Sequence, residues 1–229
     1  MVSLYPFIHS FHVDRSFEQT AEEFLSRVEI TPATDPTAEL KEPAELEETE
    51  PKAHPELWDA MTAYNAAIYA EGQSGLSGPS AYETPSFDLT DYGLENEIFG
   101  VISIPALELE MPLYLGATYQ HMADGAAHLS QTSIPIGGNN TNAVIAGHRG
   151  WRGASYFRYI TELQPGDEVI ITNLWGTLTY RVADTQIIWP YEVDQILIQE
   201  NRDLITLLTC HPYASGGKQR YLVICERTE

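Results

Sequence analysis

Leu204-Ile-Thr-Leu-Leu-Thr-Cys210, then His211-Pro-Tyr-Ala-Ser-Gly-Gly-Lys218, then Arg220-Tyr-Leu-Val-Ile-Cys225 reads as an apolar strand, a loop rich in turn residues and a second apolar strand. If these are the two arms of one hairpin, Cys210 ends the first arm and Cys225 lies five residues into the second. At about 3.3 Å per residue that offset is roughly 15 Å, too far for a disulfide, so both thiols are expected free. Cys210 then sits where a strand opens into a loop, a place where function concentrates, while Cys225 falls inside a strand and reads as structural.

Outward from this hairpin the chain stays β-rich. Short apolar or alternating runs occur at 98–104, 112–115, 143–146, 168–173, 177–183 and 185–189, separated by turn residues such as Gln164-Pro-Gly-Asp167. With the two hairpin arms they make eight short strands, which predicts a barrel or sandwich. Tyr156, Tyr159, Ile160 and Leu163 have helical spacing and predict an inserted helix over 154–163. Upstream, Phe17, Ala21, Phe24, Leu25 and Val28 mark an amphipathic helix over 16–29. A second helix starts at Pro55 with Leu57, Met61, Tyr64 and Ile68 as its stripe, and a Gly-, Ser- and Pro-rich run from Gly72 to Pro85 ends it. Between them, Pro, Thr and six Glu (39, 42, 45, 47, 48 and 50) stand against Lys41 alone. Such a stretch buries too little apolar surface to offset its ordering entropy and reads as a solvated insertion.

The chain has 229 residues, 43% of them apolar, enough for a real core. Its 12 Lys and Arg against 33 Asp and Glu give a net charge of -21, a field that repels nucleic-acid phosphates and anionic lipid. No stretch has the eighteen or so consecutive apolar residues of a membrane span, and no basic-then-apolar signal peptide is visible. Two cysteines exclude a disulfide-dense scaffold and a Cys-rich zinc site.

A nucleophilic thiol needs a cationic or basic neighbour to become a thiolate. Of seven histidines, His211 is adjacent to Cys210, but successive residues of an extended chain face opposite ways. His9, His12 and His54 lie in the arm and insertion. His121 and His128 lie in a Gly- and Ala-rich connection, and with Asp124 they lack the closing ligand a metal site needs. His148 ends the apolar run Asn142-Ala-Val-Ile-Ala-Gly147, another strand end entering a loop, and taken alone reads as a half-exposed loop histidine. Arg220 opens the strand facing the one that ends in Cys210. Spacing alone does not choose among the histidines.

Three segments resemble those of sortases. Thr206-Leu-Leu-Thr-Cys210 with Arg220-Tyr-Leu-Val resembles their TLxTC box and trailing Arg, and Val144-Ile-Ala-Gly-His148-Arg-Gly their histidine strand. The similarity extends through Gly100 to Pro105, Tyr114 to Thr118, Thr132 to Asn139 and Phe157 to Asp167. The helical arm, Arg149-Gly150 and Thr132-Ser-Ile-Pro-Ile-Gly-Gly138 are most similar to class C, the pilin-polymerising sortases. Leu4-Tyr5-Pro6 likewise resembles the segment just after an N-terminal membrane anchor in that class.

The resemblance implies a mainly β fold: an eight-stranded barrel over 98–229, an N-terminal helical arm over 1–70 with an acidic insertion at about 31–54, short inserted helices, and a lid-like segment over 71–97. It implies Cys210 as nucleophile, His148 as general acid or base and Arg220 as cationic donor, with no cofactor and no metal. The expected substrates are LPXTG-like sorting signals of pilin subunits, and the expected acceptor is a pilin Lys. The expected place is the outer face of a Gram-positive membrane, held by an anchor, with the enzyme a monomer.

Class C lids usually carry Asp-Pro-aromatic, whereas the comparable stretch reads Ser77-Gly78-Pro79-Ser80-Ala81-Tyr82. Gly78, Pro79, Ser80, Tyr82 and, further on, Phe87 are therefore all lid candidates. Two other readings compete: a sortase that anchors proteins to peptidoglycan, and a non-catalytic adhesive β-domain or pilus subunit with an inert Cys210.

Overall fold

A computed structural model describes residues 5–28, 53–77, 82–94, 97–151 and 153–228, with side chains of the first helix from Ser16 onward. Most of the acidic insertion and the lid candidates Gly78, Pro79 and Ser80 lie outside the described residues. Strands β1 (Ile98–Ile104), β2 (Leu109–Leu115), β3 (Ala126–His128), β4 (Thr141–Ala146), β5 (Glu168–Asn173), β6 (Gly176–Ile188), β7 (Asp203–His211) and β8 (Gln219–Arg227) close into a barrel. Its order is β1-β2-β3-β4-β7-β8-β6-β5, with β2–β3 and β4–β7 parallel and the other pairs antiparallel.

The eight strands differ in two places from those read off the sequence. The runs 177–183 and 185–189 are one strand: the register passes from Val182↔Cys225 to Asp184↔Ile224, so a bulge absorbs Ala183 where the polar Asp184 suggested a break. The missing strand is β3, whose three residues are too short for an alternation to show; pairing with β2 on one side and β4 on the other defines it. The helix expected at 154–163 is instead a series of turns ending in a 3-10 turn at Ile160–Glu162. Tyr156 takes a positive φ of 43°, which an α-helix excludes, and Tyr159 is exposed while Tyr156, Ile160 and Leu163 are buried.

Alternation builds two apolar layers. Ala143, Ile145, Ile205, Leu207, Val223 and Cys225 face the barrel interior, whereas Val144, Ala146, Leu208 and Leu222 face the outer side of the same three strands. Each buried Leu or Ile contributes about 1.5–3 kcal/mol. Helix α1 (Tyr5–Arg27) starts earlier than its apolar stripe, and Ala21 and Phe24 pack on Val101 of β1. Helix α2 (Pro55–Ala70) inserts Leu57 and Met61 into the main core. Its buried Asn65 acts as a clamp: Nδ2 donates to the Ile134 carbonyl at 3.1 Å and Oδ1 accepts from the Ile134 amide at 2.7 Å. Between α2 and β1, Leu76 and Leu89 are buried against the barrel.

Candidate active site

The site grows from three neighbouring strands. β4 and β7 run parallel in unshifted register through Ala146↔Leu208, and the Gly147 amide still donates to the Leu208 carbonyl at 3.1 Å. Thr209 Oγ1 donates to the Gly147 carbonyl at 2.8 Å. Extrapolated one step past the end of the ladder, that register brings His148 level with Cys210. On the other side of β7, Cys210 pairs directly with Arg220 of β8. His148, Cys210 and Arg220 therefore stand abreast at one end of three adjacent strands. Cys225 pairs with Ile205, five positions from Arg220 along β8, and both cysteines are free thiols, as the offset required.

The two thiols have opposite surroundings. Cys225 is wholly buried and desolvation pushes its pKa up to about 12, which makes it inert. Cys210 is partly exposed at the strand end. The loop between β7 and β8 folds back over it: a Cβ on Gly217, whose φ is +74°, would lie 3.2 Å from Cys210 Sγ and 3.5 Å from Arg220 Nη1. Glycine at 217 thus provides both the backbone angle and the space above the sulfur. Arg220 Nη1 donates to the carbonyls of Gly217 at 2.7 Å and Gln219 at 3.0 Å.

His148 is seated among aromatic rings. Its imidazole centroid is 4.9 Å from Trp151 and 5.5 Å, edge to face, from Tyr156; Tyr156 in turn meets Phe17 of α1 at 5.0 Å. The Phe157 amide donates to the His148 carbonyl at 2.9 Å, and the Phe157 ring packs so close to Gly147 that any Cβ there would come within 2.6 Å of it. Burial lowers the His148 pKa below the ordinary histidine value, favouring neutral imidazole.

Behind the three residues, the outer face of the sheet offers an apolar floor of Ala146, Leu208 and Leu222. Tyr82 packs against the larger apolar cluster to which these residues belong, its carbonyl accepting from the Ala117 amide at 2.8 Å and its hydroxyl donating to the Leu76 carbonyl at 3.1 Å. It lies close enough to Arg220 for the guanidinium to pull its pKa down, although burial outweighs this and raises it. Phe87 is elsewhere, set edge to face on Tyr64 at 5.6 Å and beside Tyr92 at 6.4 Å.

His121 and His128 serve the framework. His121 Nδ1 bonds the Gly116 carbonyl at 2.8 Å, and His128 Nε2 meets Thr132 Oγ1 at 3.0 Å in the core. Among the described residues no group of three or more His, Cys, Asp or Glu is arranged to hold a metal ion. A groove of about 530 Å³ between α2 and residues 136–141 lies at the other end of β4 and brings no nucleophile near a base.

A thiol with an imidazole on one side and a guanidinium on the other, over an apolar floor, is equipped to attack a carbonyl, stabilise the oxyanion and protonate a leaving amine. Comparison with known proteins bears on which family built it, and a sortase-domain profile matches residues 102–228. The chain belongs to the sortase family. Among characterised sortases it is 27% identical to Sortase D of Bacillus subtilis (strain 168) over 130 residues, 56% of this chain and 63% of that protein. It is also 27% identical to Sortase A of Bacillus anthracis over 129 residues, 56% of this chain and 59% of that one. The matches thus span less than two thirds of those relatives.

Solved structures it resembles include class C sortases. Sortase C of Streptococcus pneumoniae has a TM-score of 0.69 at 28% identity, covering 92% of this chain and 97% of that one. A lid-mutant of Streptococcus agalactiae Sortase C1 has a TM-score of 0.67 at 28% identity, covering 77% and 89%. The eight-stranded barrel expected from the sequence is the sortase fold.

Several residues of this sortase's site escaped the sequence reading. Of the two rings that flank His148, Tyr156 comes from a stretch whose spacing looked helical and Trp151 from the loop after the histidine, and Gly217 gave no signal beyond a Gly-Gly pair. Only the fold brings them to the rim.

Proposed function

We propose that this sortase is a class C cysteine transpeptidase that cleaves an LPXTG-like signal between Thr and Gly and joins the acyl group to a pilin Lys. The observation that carries the reading is the row His148, Cys210 and Arg220 at the ends of three adjacent strands. Neutral His148 takes the proton of the Cys210 thiol, and the resulting thiolate attacks the Thr carbonyl; Arg220 exchanges the Gly217 carbonyl for the developing oxyanion. His148 protonates the departing Gly nitrogen as the C–N bond breaks, leaving a thioester on Cys210. A Lys amine then attacks the thioester and passes a proton to His148, and the thiolate leaves as the isopeptide bond forms. No cofactor takes part. The apolar residues of the signal suit the Ala146, Leu208 and Leu222 floor.

Tyr82, packed against the apolar cluster that includes that floor and near enough to Arg220 to feel its charge, is the lid residue in this reading; Phe87, packed on Tyr64 and Tyr92, is not. Streptococcus agalactiae Sortase C1 has a lid, and the Streptococcus pneumoniae neighbour is described by its pilin substrate specificity, which supports the assignment. The site of action is the outer face of a Gram-positive membrane.

One observation favours a second reading. The relatives by sequence are sortases D and A, so anchoring of proteins to a peptidoglycan amine is the alternative. Intact-mass measurement after mixing with an LPXTG peptide tests the common step: an acyl adduct on the parent and none on Cys210→Ala is expected. An inert parent that becomes acylated in Tyr82→Ala would establish the lid; adducts absent from both would sink the proposal. Product yields with a pilin-Lys peptide and with a stem-peptide amine then separate the two acceptors.

A further inference from the structure

The β4–β7 backbone ladder stops at Gly147, one residue before the histidine whose placement matters most. Beyond it, the link between the strands is a side chain. Arg149 Nη1 donates to His211 Nδ1 at 2.8 Å and to the Cys210 carbonyl at 3.4 Å, while Nη2 donates to Thr161 Oγ1 at 3.1 Å. Its Nε is buried without a partner, so the guanidinium is fully drawn into this junction. The 3.4 Å contact is long for a hydrogen bond, and the short one to His211 therefore carries most of the tie.

Alternation explains the arrangement. Cys210 shares a face with its partner Arg220, and His211, one residue on, faces the other way, where its ring lies 5.8 Å from Tyr221. His148 and Arg149 are likewise consecutive. One member of each pair is placed for chemistry, and the other two bond to each other. Thr161, the third anchor, belongs to the 3-10 turn just after the Tyr156–Phe157 segment packed around His148.

We propose that Arg149 is a positioning residue, which through His211 and Thr161 holds the His148 loop in register with Cys210. The inference rests on the proposed catalytic roles of His148 and Cys210. An arginine has only donors, so Nδ1 of His211 must be the acceptor and its proton must sit on Nε2. Protonation of His211 removes the acceptor and sets imidazolium against guanidinium, so acid opens the junction. Among the described residues, the charged and titratable groups facing His211 are Arg149 and Tyr221; burial and the Arg149 charge both lower its pKa.

The test compares Arg149→Met, Arg149→Lys and His211→Asn with the parent, Asn Oδ1 standing in for Nδ1 without titrating near neutral pH. In NMR titrations the His211 midpoint is expected to rise in Arg149→Met. Alkylation of Cys210 by iodoacetamide at pH 7 is expected to slow about five- to tenfold in Arg149→Met, to recover partly in Arg149→Lys and to stay within about threefold in His211→Asn. In peptide acylation the loss should fall on kcat with KM within about twofold, and His211→Asn should lose part of the acid limb of the pH profile. An unmoved His211 midpoint, unchanged alkylation in Arg149→Met, or a loss confined to KM would overturn the proposal. Absence of acylation in the parent, with the NMR and alkylation effects present, would instead count against the proposed reaction and leave the positioning role standing.

Discussion

The two ends of β4 are built to different ends. At the Thr141 end nearly every polar group is spent on structure: Asn65 takes both hydrogen-bonding groups of Ile134, and Asp203 accepts from the Gly138 amide at 2.8 Å and the Tyr180 hydroxyl at 3.1 Å. At the His148 end the ladder stops, Cys210 is left partly open, and Arg220 is held by the Gly217 and Gln219 carbonyls, which a substrate oxygen can replace. Buried polar atoms with satisfied partners make a rigid pole; donors held by exchangeable partners beside a thiol make a reactive one.

Arg220→Ala should separate the poles most sharply. Loss of a charge-bearing donor to the oxyanion is expected to slow acylation by about a hundred- to thousandfold while leaving the unfolding midpoint within a degree or two. A drop in stability with little kinetic loss would make Arg220 structural. Asn65→Ala should do the converse. It leaves the buried Ile134 amide unpaired, while the carbonyl still accepts from the Ile136 amide at 2.8 Å, so the cost is roughly 1–3 kcal/mol, a fall in Tm of about 5 °C by calorimetry, with Cys210 alkylation at about 20 °C unchanged.

Acid probes a third place, the core under the rim. Burial lowers the His128 pKa from 6.5 to about 4, so between these values the unfolded chain binds a proton the native state refuses. Stability is full above about pH 6.5 and falls by roughly 3 kcal/mol as pH drops towards about 4. Urea midpoints across that window should fall in the parent and flatten in His128→Gln; parallel curves would show that His128 is not the group responsible. The smallest effect concerns the cysteines. Iodoacetamide should add one equivalent to the native protein, on Cys210, and Cys225→Ala should leave acylation unaltered at a stability cost of about 1 kcal/mol.

The hairpin of β7 and β8 was legible because its residues are local and alternate cleanly; the five-residue offset alone kept Cys210 and Cys225 apart. β3 was not, because three residues carry no period, and β6 was split because a bulge lets a polar residue sit within a continuous strand. Tyr156 was misread since its helical spacing coexists with a backbone angle that only its packing enforces. Among the lid candidates, Tyr82 and Phe87 were equal on composition, and only burial near Arg220 against burial near Tyr64 separates them.

By itself the sequence determined the features set by composition and short period: a β-rich chain with an acidic surface, two unpaired thiols, and Cys210, His148 and Arg220 each at a strand end. The tertiary structure alone decided that the His148 end joins the Cys210 and Arg220 ends of the hairpin, because parallel pairing of β4 with β7 joins residues 62 positions apart, as at Val144↔Thr206. Local propensity carries no information about which strand closes a barrel beside which; that is decided when apolar faces distant in sequence are buried together.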